Sequence, residues 1–233
     1  MPNAPPLPEW EQVLSSAAHL QRILPDAVLV RGTAVAAYVG HRTSTDADHV
    51  VTDLRDRFDA ILAELESVAG WTTARVERPV LILGSLDGIE TGIRQLIRST
   101  PLETRQITVA SGTITVPTEA EILRIKAILI LRRNATRDYL DFIALTDHMG
   151  ADAAEAALLT FDTLYPQINS ESPTQQLVVQ LSNPLPFDLA KTDLANYKGL
   201  DARWQDWGAV RSVAMDMGTM IFERLIKRRS SSI

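Results

Sequence analysis

The chain of 233 residues contains no cysteine, which excludes disulfides, thiolate metal sites and cysteine nucleophiles and fits a reducing compartment. Residues 1–12 lack the basic and then apolar pattern of a signal peptide, so a cytoplasmic location is expected. Long hydrophobic runs are also missing. The most apolar stretch, residues 120–131, is short and broken by Arg124 and Lys126, which predicts a buried helix and no membrane span. Positive charge is not in excess: the formal net charge of -6 argues against coating nucleic acid through bulk electrostatics. A local basic groove stays open, because Arg75, Arg78, Arg94, Arg98 and Arg105 fall in one stretch. Lys227, Arg228 and Arg229 form a short cluster that reads as a solvated tail. His19, His41, His49 and His148 show no zinc spacing. What is present, 45% hydrophobic and 22% charged residues, suits a globular protein able to bury a full core.

Apolar residues from Trp10 to Ile23 recur near a 3.6 period and Pro25 stops them, predicting a first helix. A valine-rich run over 27–30 reads as a strand, followed by a tight turn at Arg31, Gly32 and Thr33 and a helix over 34–39. Residues 46–52 predict a second strand, and Leu54, Phe58, Ile61, Leu62, Leu65 and Val68 predict a helix stopped by Gly70. From Arg75 to Val116 the pattern is strand-like, with runs at 80–83, 89–97, 107–109 and 113–116, expected to form hairpins that extend the sheet. Gly84, Gly88 and Gly92 read as turn and bulge residues without chemistry.

Thr118 to Glu121 matches a capping box that opens a helix ending near Leu131. Thr136 can cap the next helix, whose apolar face runs from Tyr139 to Leu145. Further helices follow over 153–165, 174–181 and about 202–227, with Trp204 and Trp207 expected in the core of their own region. No internal repeat is apparent. The layout is α+β: a mixed-sheet domain over 1–116 followed by a helical half over 117–233.

The chemically specific segment is VLVRGTAVAAYVGHRTSTDADHV, residues 28–50. Strand alternation puts Asp46 and Asp48 on one face and Ala47 and His49 on the other. Two adjacent carboxylates repel unless one protonates or a cation neutralises them, and hard oxygen ligands suit Mg2+ or Mn2+. Gly32 and Thr33, between a strand and a helix, offer backbone N–H groups and a hydroxyl to phosphate oxygens.

Together these residues resemble the first motif of the DNA polymerase β-like nucleotidyltransferase superfamily, hG[GST] followed about ten residues on by DxD. Ser44, Asp46 and Asp48 make the SxDxD form similar to that of AbiEii/AbiGii-type toxins. Lys126, Arg133, Arg137, Asp138 and Asp141 follow the order of that family's lysine, arginine and RDxxD segment, so the likeness spans residues 28–145. WQDWGAV and the helical ending add to it without diagnostic chemistry. The turn departs from the family by reading RGT where GGT is common. The resemblance implies a metal-dependent nucleotidyltransferase with NTP as substrate, an RNA acceptor such as the tRNA 3′ end, and a cognate antitoxin. It implies catalytic roles for Asp46, Asp48, Lys126 and Asp138, and nucleotide contacts from Gly32, Thr33, Ser44, Lys126 and Arg133. Asp46 and Asp48 would hold metal. The third carboxylate of the superfamily falls to Asp87 or Glu90, with Glu90 preferred because Asp87 beside Gly88 reads as a turn residue. Lys126 would serve as a point charge for the triphosphate, and Asp138 would position Lys126 or the acceptor hydroxyl. Arg133 and Arg137 would bind phosphate, or pair with Asp138 or Asp141. A small-molecule transferase and a catalytically silent binding module share the same first motif.

Overall fold

The computed structural model describes residues 9–168 and 170–230, with side chains up to Lys227. The initial segment Met1–Pro8 and the side chains of Arg228 and Arg229 lie outside the described residues. The chain divides into two units. One takes in the chain up to Ala37 together with Thr43–Thr118, and the other takes in Tyr38–Arg42 and the chain from Glu119 on. The segment 38–42, which the expected division at residue 116 left with the sheet, is thus grouped with the helical unit. Among the described residues no helix is long and apolar enough to cross a membrane.

The first unit is built around a five-stranded mixed sheet. Its strands are β1 (Val28–Leu29), β2 (Asp46–Val51), β3 (Trp71–Glu77), β4 (Leu81–Leu86) and β5 (Ile89–Gln95), in the order β1-β2-β5-β4-β3. Only β2 and β5 pair in parallel. Helices α1 (Glu9–Ile23), α2 (Arg31–Val39) and α3 (Leu54–Glu66) complete it. The α3 residues Leu54, Phe58, Ile61 and Leu65 are buried together with Leu20, Leu24, Ile82, Leu86 and Ile93. Each such side chain contributes roughly 1.5–3 kcal/mol by leaving water, so the spacing that predicted α3 is also what fastens it to the sheet.

The turn between β4 and β5 is Asp87–Gly88, with φ of 54° and 81°, the double left-handed conformation that suits a tight hairpin. Asp87 is therefore a turn residue, as its neighbour suggested. Two strand expectations need correction. Strand β3 begins at Trp71, ahead of the expected strand-like region, and its mostly exposed side chains left no sustained hydrophobic pattern to mark it. The hairpin of β6 (Thr104–Val109) and β7 (Gly112–Pro117) forms its own two-stranded sheet and does not extend the main one. Ile114 and Val116 of β7 are buried, and the Gln21 side chain of α1 exchanges hydrogen bonds with the Thr115 backbone at 2.9 and 2.6 Å.

The second unit is helical: α4 (Glu119–Arg133), α5 (Thr136–Met149), α6 (Ala151–Ala157), α7 (Phe161–Leu164), α8 (Pro173–Ser182) and α9 (Trp207–Ser230). Helix α4 begins where the capping box placed it. Thr136 does not cap α5; it occupies the first helical turn, and no side chain of Ala135 can cap. The cap comes from 52 residues away, where Asp188 Oδ1 accepts from Thr136 N at 2.8 Å and Thr136 Oγ1 at 2.7 Å. Trp204 is buried in this unit's core, as expected, whereas Trp207 is half-buried and packs edge-on against Tyr139 at 5.9 Å.

Candidate functional site

Strand β2 presents its residues alternately. Ala47 and His49 are fully buried on one face. His49 Nδ1 donates to Ala47 O at 3.0 Å, and burial lowers its pKa to about 4, so it is neutral and apart from the acidic pair. The opposite face carries Asp46 and Asp48. Ser44 Oγ donates to Asp46 Oδ1 at 2.7 Å, orienting that carboxylate. The Thr33 hydroxyl donates to Asp46 O, which ties the first turn of α2 to the start of β2. Gly32 and Thr33 are both buried within that first turn, so the expected turn residues are helical and the Thr33 hydroxyl is already committed.

Asp48 is buried, and both its oxygens meet arginine: Arg31 Nη1 lies 2.7 Å from Oδ2, and Arg94 Nε lies 3.4 Å from Oδ1. Burial raises the Asp48 carboxyl pKa, and Asp46's charge adds to the rise against the pull of Arg31 and Arg94. Sequence reasoning noted Arg31 only as a departure from GGT and Arg94 only as part of a basic stretch. Register brings them in. Parallel pairing sets Asp46 opposite Glu90, Asp48 opposite Gly92 and Val50 opposite Arg94, so these β5 positions share the acidic face. Gly92 is not a bulge glycine: the Asp48 carboxylate lies where its Cβ would be.

Glu90, expected as third carboxylate, is exposed at its place opposite Asp46. Among the described residues no group of three or more His, Cys, Asp or Glu side chains could hold a metal ion. Asp46, Asp48 and Glu90 thus do not form such a group among the described residues. The donor set that remains, two hard-oxygen carboxylates on one face, still suits Mg2+, which is commonly held by one or two carboxylates plus substrate phosphates.

Of the residues expected to bind phosphate in the helical unit, Lys126 and Arg133 pair with buried aspartates, Arg133 as its stated alternative had it, and Arg137 is exposed. Lys126 Nζ lies 2.7 Å from Asp141 Oδ2 and 3.4 Å from Asp138 Oδ1. Arg133 Nη2 donates to Asp138 Oδ1 at 2.8 Å. Asp141 also accepts from His41 Nε2 at 2.8 Å and from Arg42 Nε and Nη2 at 2.9 and 3.1 Å. Burial alone would raise the Asp141 carboxyl pKa, but Lys126, Arg42 and His41 hold it well below the usual carboxylate range. Lys126 and both aspartates are buried, so the expected point charge for a triphosphate is here the counterion of Asp138 and Asp141. No sequence signal joined His41 and Arg42 to Asp141, which stands about 100 residues away.

No family model matches the chain. The heme uptake protein MmpL11 of Mycobacterium tuberculosis is 31% identical over 221 aligned residues, covering 87% of this chain and 22% of that protein. The mycolic acid-containing lipids exporter MmpL11 of Mycolicibacterium smegmatis is 28% identical over 185 residues, covering 78% of this chain and 17% of that protein. The chain thus spans about a fifth of the length of these relatives. Among solved structures, ANT(2'')-Ia in complex with adenylyl-2''-tobramycin superposes with a TM-score of 0.50 at 11% identity, over 66% of this chain and 97% of that one. A protein of H. pylori described as a nucleotidyltransferase superposes with a TM-score of 0.50 at 15% identity, over 93% of this chain and 97% of that one. The chain has a nucleotidyltransferase-like α+β fold.

Proposed function

We propose that the acidic face of β2 is a nucleotide site and that the chain transfers a nucleoside monophosphate from an NTP to an acceptor. The observation that carries this reading is Asp46 and Asp48 on one strand face beside the start of α2, within a nucleotidyltransferase-like fold. Ser44 orients Asp46, and Thr33 fixes the backbone at which the pair begins, so the carboxylates are preorganised. Asp46 and Asp48 would hold a divalent cation, which, when bound, offsets phosphate charge at the phosphorus under attack. Gly92 keeps the space beside Asp48 free of a side chain. An RNA acceptor such as the tRNA 3′ end, a toxin role and an antitoxin partner are supported by the SxDxD and RDxxD likeness. A small-molecule acceptor fits the same chemistry, since ANT(2'')-Ia was solved in complex with adenylyl-2''-tobramycin.

The test is incubation of the purified protein with Mg2+, each labelled NTP, and either total RNA or a panel of hydroxyl-bearing small molecules, with Asp46→Ala as control. Label entering one acceptor class only with the unsubstituted protein supports transfer and names the class. Nucleotide binding without incorporation sinks it in favour of a second reading, a non-catalytic nucleotide-binding module. That second reading is favoured by the arginine pairing of Asp48, which occupies both of its oxygens.

A further inference from the structure

Arg31 occupies a position that its backbone conformation disfavours. Its φ is 64°, in the left-handed region where a Cβ is penalised and glycine is not. A residue held in a sparsely populated backbone region is a pointer to use of its side chain. The Arg31 guanidinium reaches Asp48 Oδ2, and Arg94, brought in by the β2–β5 register, reaches Oδ1. About a third of each arginine side chain is exposed, 32% and 30%, against 7% of Asp48. The two arginine side chains are more open to solvent than the carboxylate they hold.

We infer that Arg31 and Arg94 are the triphosphate-holding cations of this site, and that Asp48 is their partner only while no nucleotide is bound. The inference rests on the nucleotide reading above. Asp46 and Asp48 offset the two arginines and Glu90 adds a negative charge on the same face, so a metal-free triphosphate meets little net attraction. A magnesium-bound triphosphate brings a cation for the carboxylates and phosphate oxygens for the guanidinium groups, and every charge keeps an opposite partner through the exchange. The planar arginine fork matches phosphate oxygens in pairs, which lysine does not. The departure from GGT to RGT then supplies a phosphate ligand that Lys126, enclosed between Asp138 and Asp141, does not.

Calorimetric titration with ATP, GTP, CTP and UTP, each with and without Mg2+, tests this on the unsubstituted protein, Arg31→Gly, Arg94→Gln and Asp48→Asn. Thermal unfolding of each variant is recorded alongside. Arg31→Gly suits the local φ and carries the arginine test alone should Arg94→Gln fail to fold. The unsubstituted protein should bind at least one NTP in a magnesium-dependent way. Each arginine variant should bind that NTP at least tenfold more weakly. Asp48→Asn should bind metal-free NTP more tightly than the unsubstituted protein, because its arginines have no carboxylate to leave. NTP binding undiminished in Arg31→Gly, or no gain for metal-free NTP in Asp48→Asn, overturns the exchange and leaves the nucleotide reading standing. No binding of any NTP by the unsubstituted protein overturns the nucleotide reading and the exchange with it.

Discussion

Gly92 and Asp48 are register partners across β5 and β2, and the Asp48 carboxylate fills the volume that a side chain at position 92 would need. The acidic face is therefore built from two strands, one supplying the carboxylate and the other supplying its absence of obstruction. Gly92→Ala should displace the Asp48 side chain and cost roughly 1–3 kcal/mol, as overpacking of a close-packed site does. Urea unfolding measures the loss, and NTP binding by the folded variant should fall with it. A variant as stable and as active as the unsubstituted protein would contradict the packing described.

Asp46→Ala and Asp48→Asn should each lower any nucleotidyl transfer by about 100-fold or more, since each removes a preorganised charge at the reacting phosphate. Single-turnover rates with saturating NTP check this, with circular dichroism confirming the fold. Ser44→Ala, which removes only the hydroxyl donated to Asp46, should have a smaller effect, about fivefold for loss of one hydrogen bond of roughly 1 kcal/mol.

The helical unit depends on Asp141. Its folded pKa is depressed by Lys126, Arg42 and His41, so it contributes stability that is complete above the unfolded carboxylate value of about 4. That contribution is lost as the pH falls through the lower folded value. Urea unfolding monitored at Trp204 and Trp207 from pH 7 down to pH 2 should show it. Asp141→Asn should remove this part of the acid dependence. It should also destabilise the unit by roughly 3–5 kcal/mol at neutral pH, because Lys126 is left buried without its nearest counterion.

Asp188→Ala should cost about 1 kcal/mol, the usual loss for a helix N-cap, although residue 188 lies far from α5 in sequence. The effect should appear in the same urea titration, together with faster hydrogen exchange at the Thr136 amide. Unchanged exchange there would exclude Asp188 as the cap.

Local spacing made α1, α3 and the start of α4 legible, because one apolar stripe and a stop signal are sufficient to set a helix. The same holds for Asp46 and Asp48, which share a face for the simple reason that a strand alternates. Strand β3 was not legible, since apart from Trp71 and Thr73 its side chains are exposed and impose little pattern. The separation of β6 and β7 into their own sheet was not legible either, because backbone pairing partners are not written in the composition of a strand.

What the sequence determined by itself was therefore local: the helices with a buried stripe, the acidic pair, and the order of a sheet region before a helical one. Tertiary structure decided the charges around those residues. Arg31 and Arg94 reach Asp48 through the start of α2 and the β2–β5 register, and His41 and Arg42 reach Asp141 across about 100 residues. A buried carboxylate must find an opposite charge when it leaves water, but which arginine, lysine or histidine arrives is fixed only when distant segments pack.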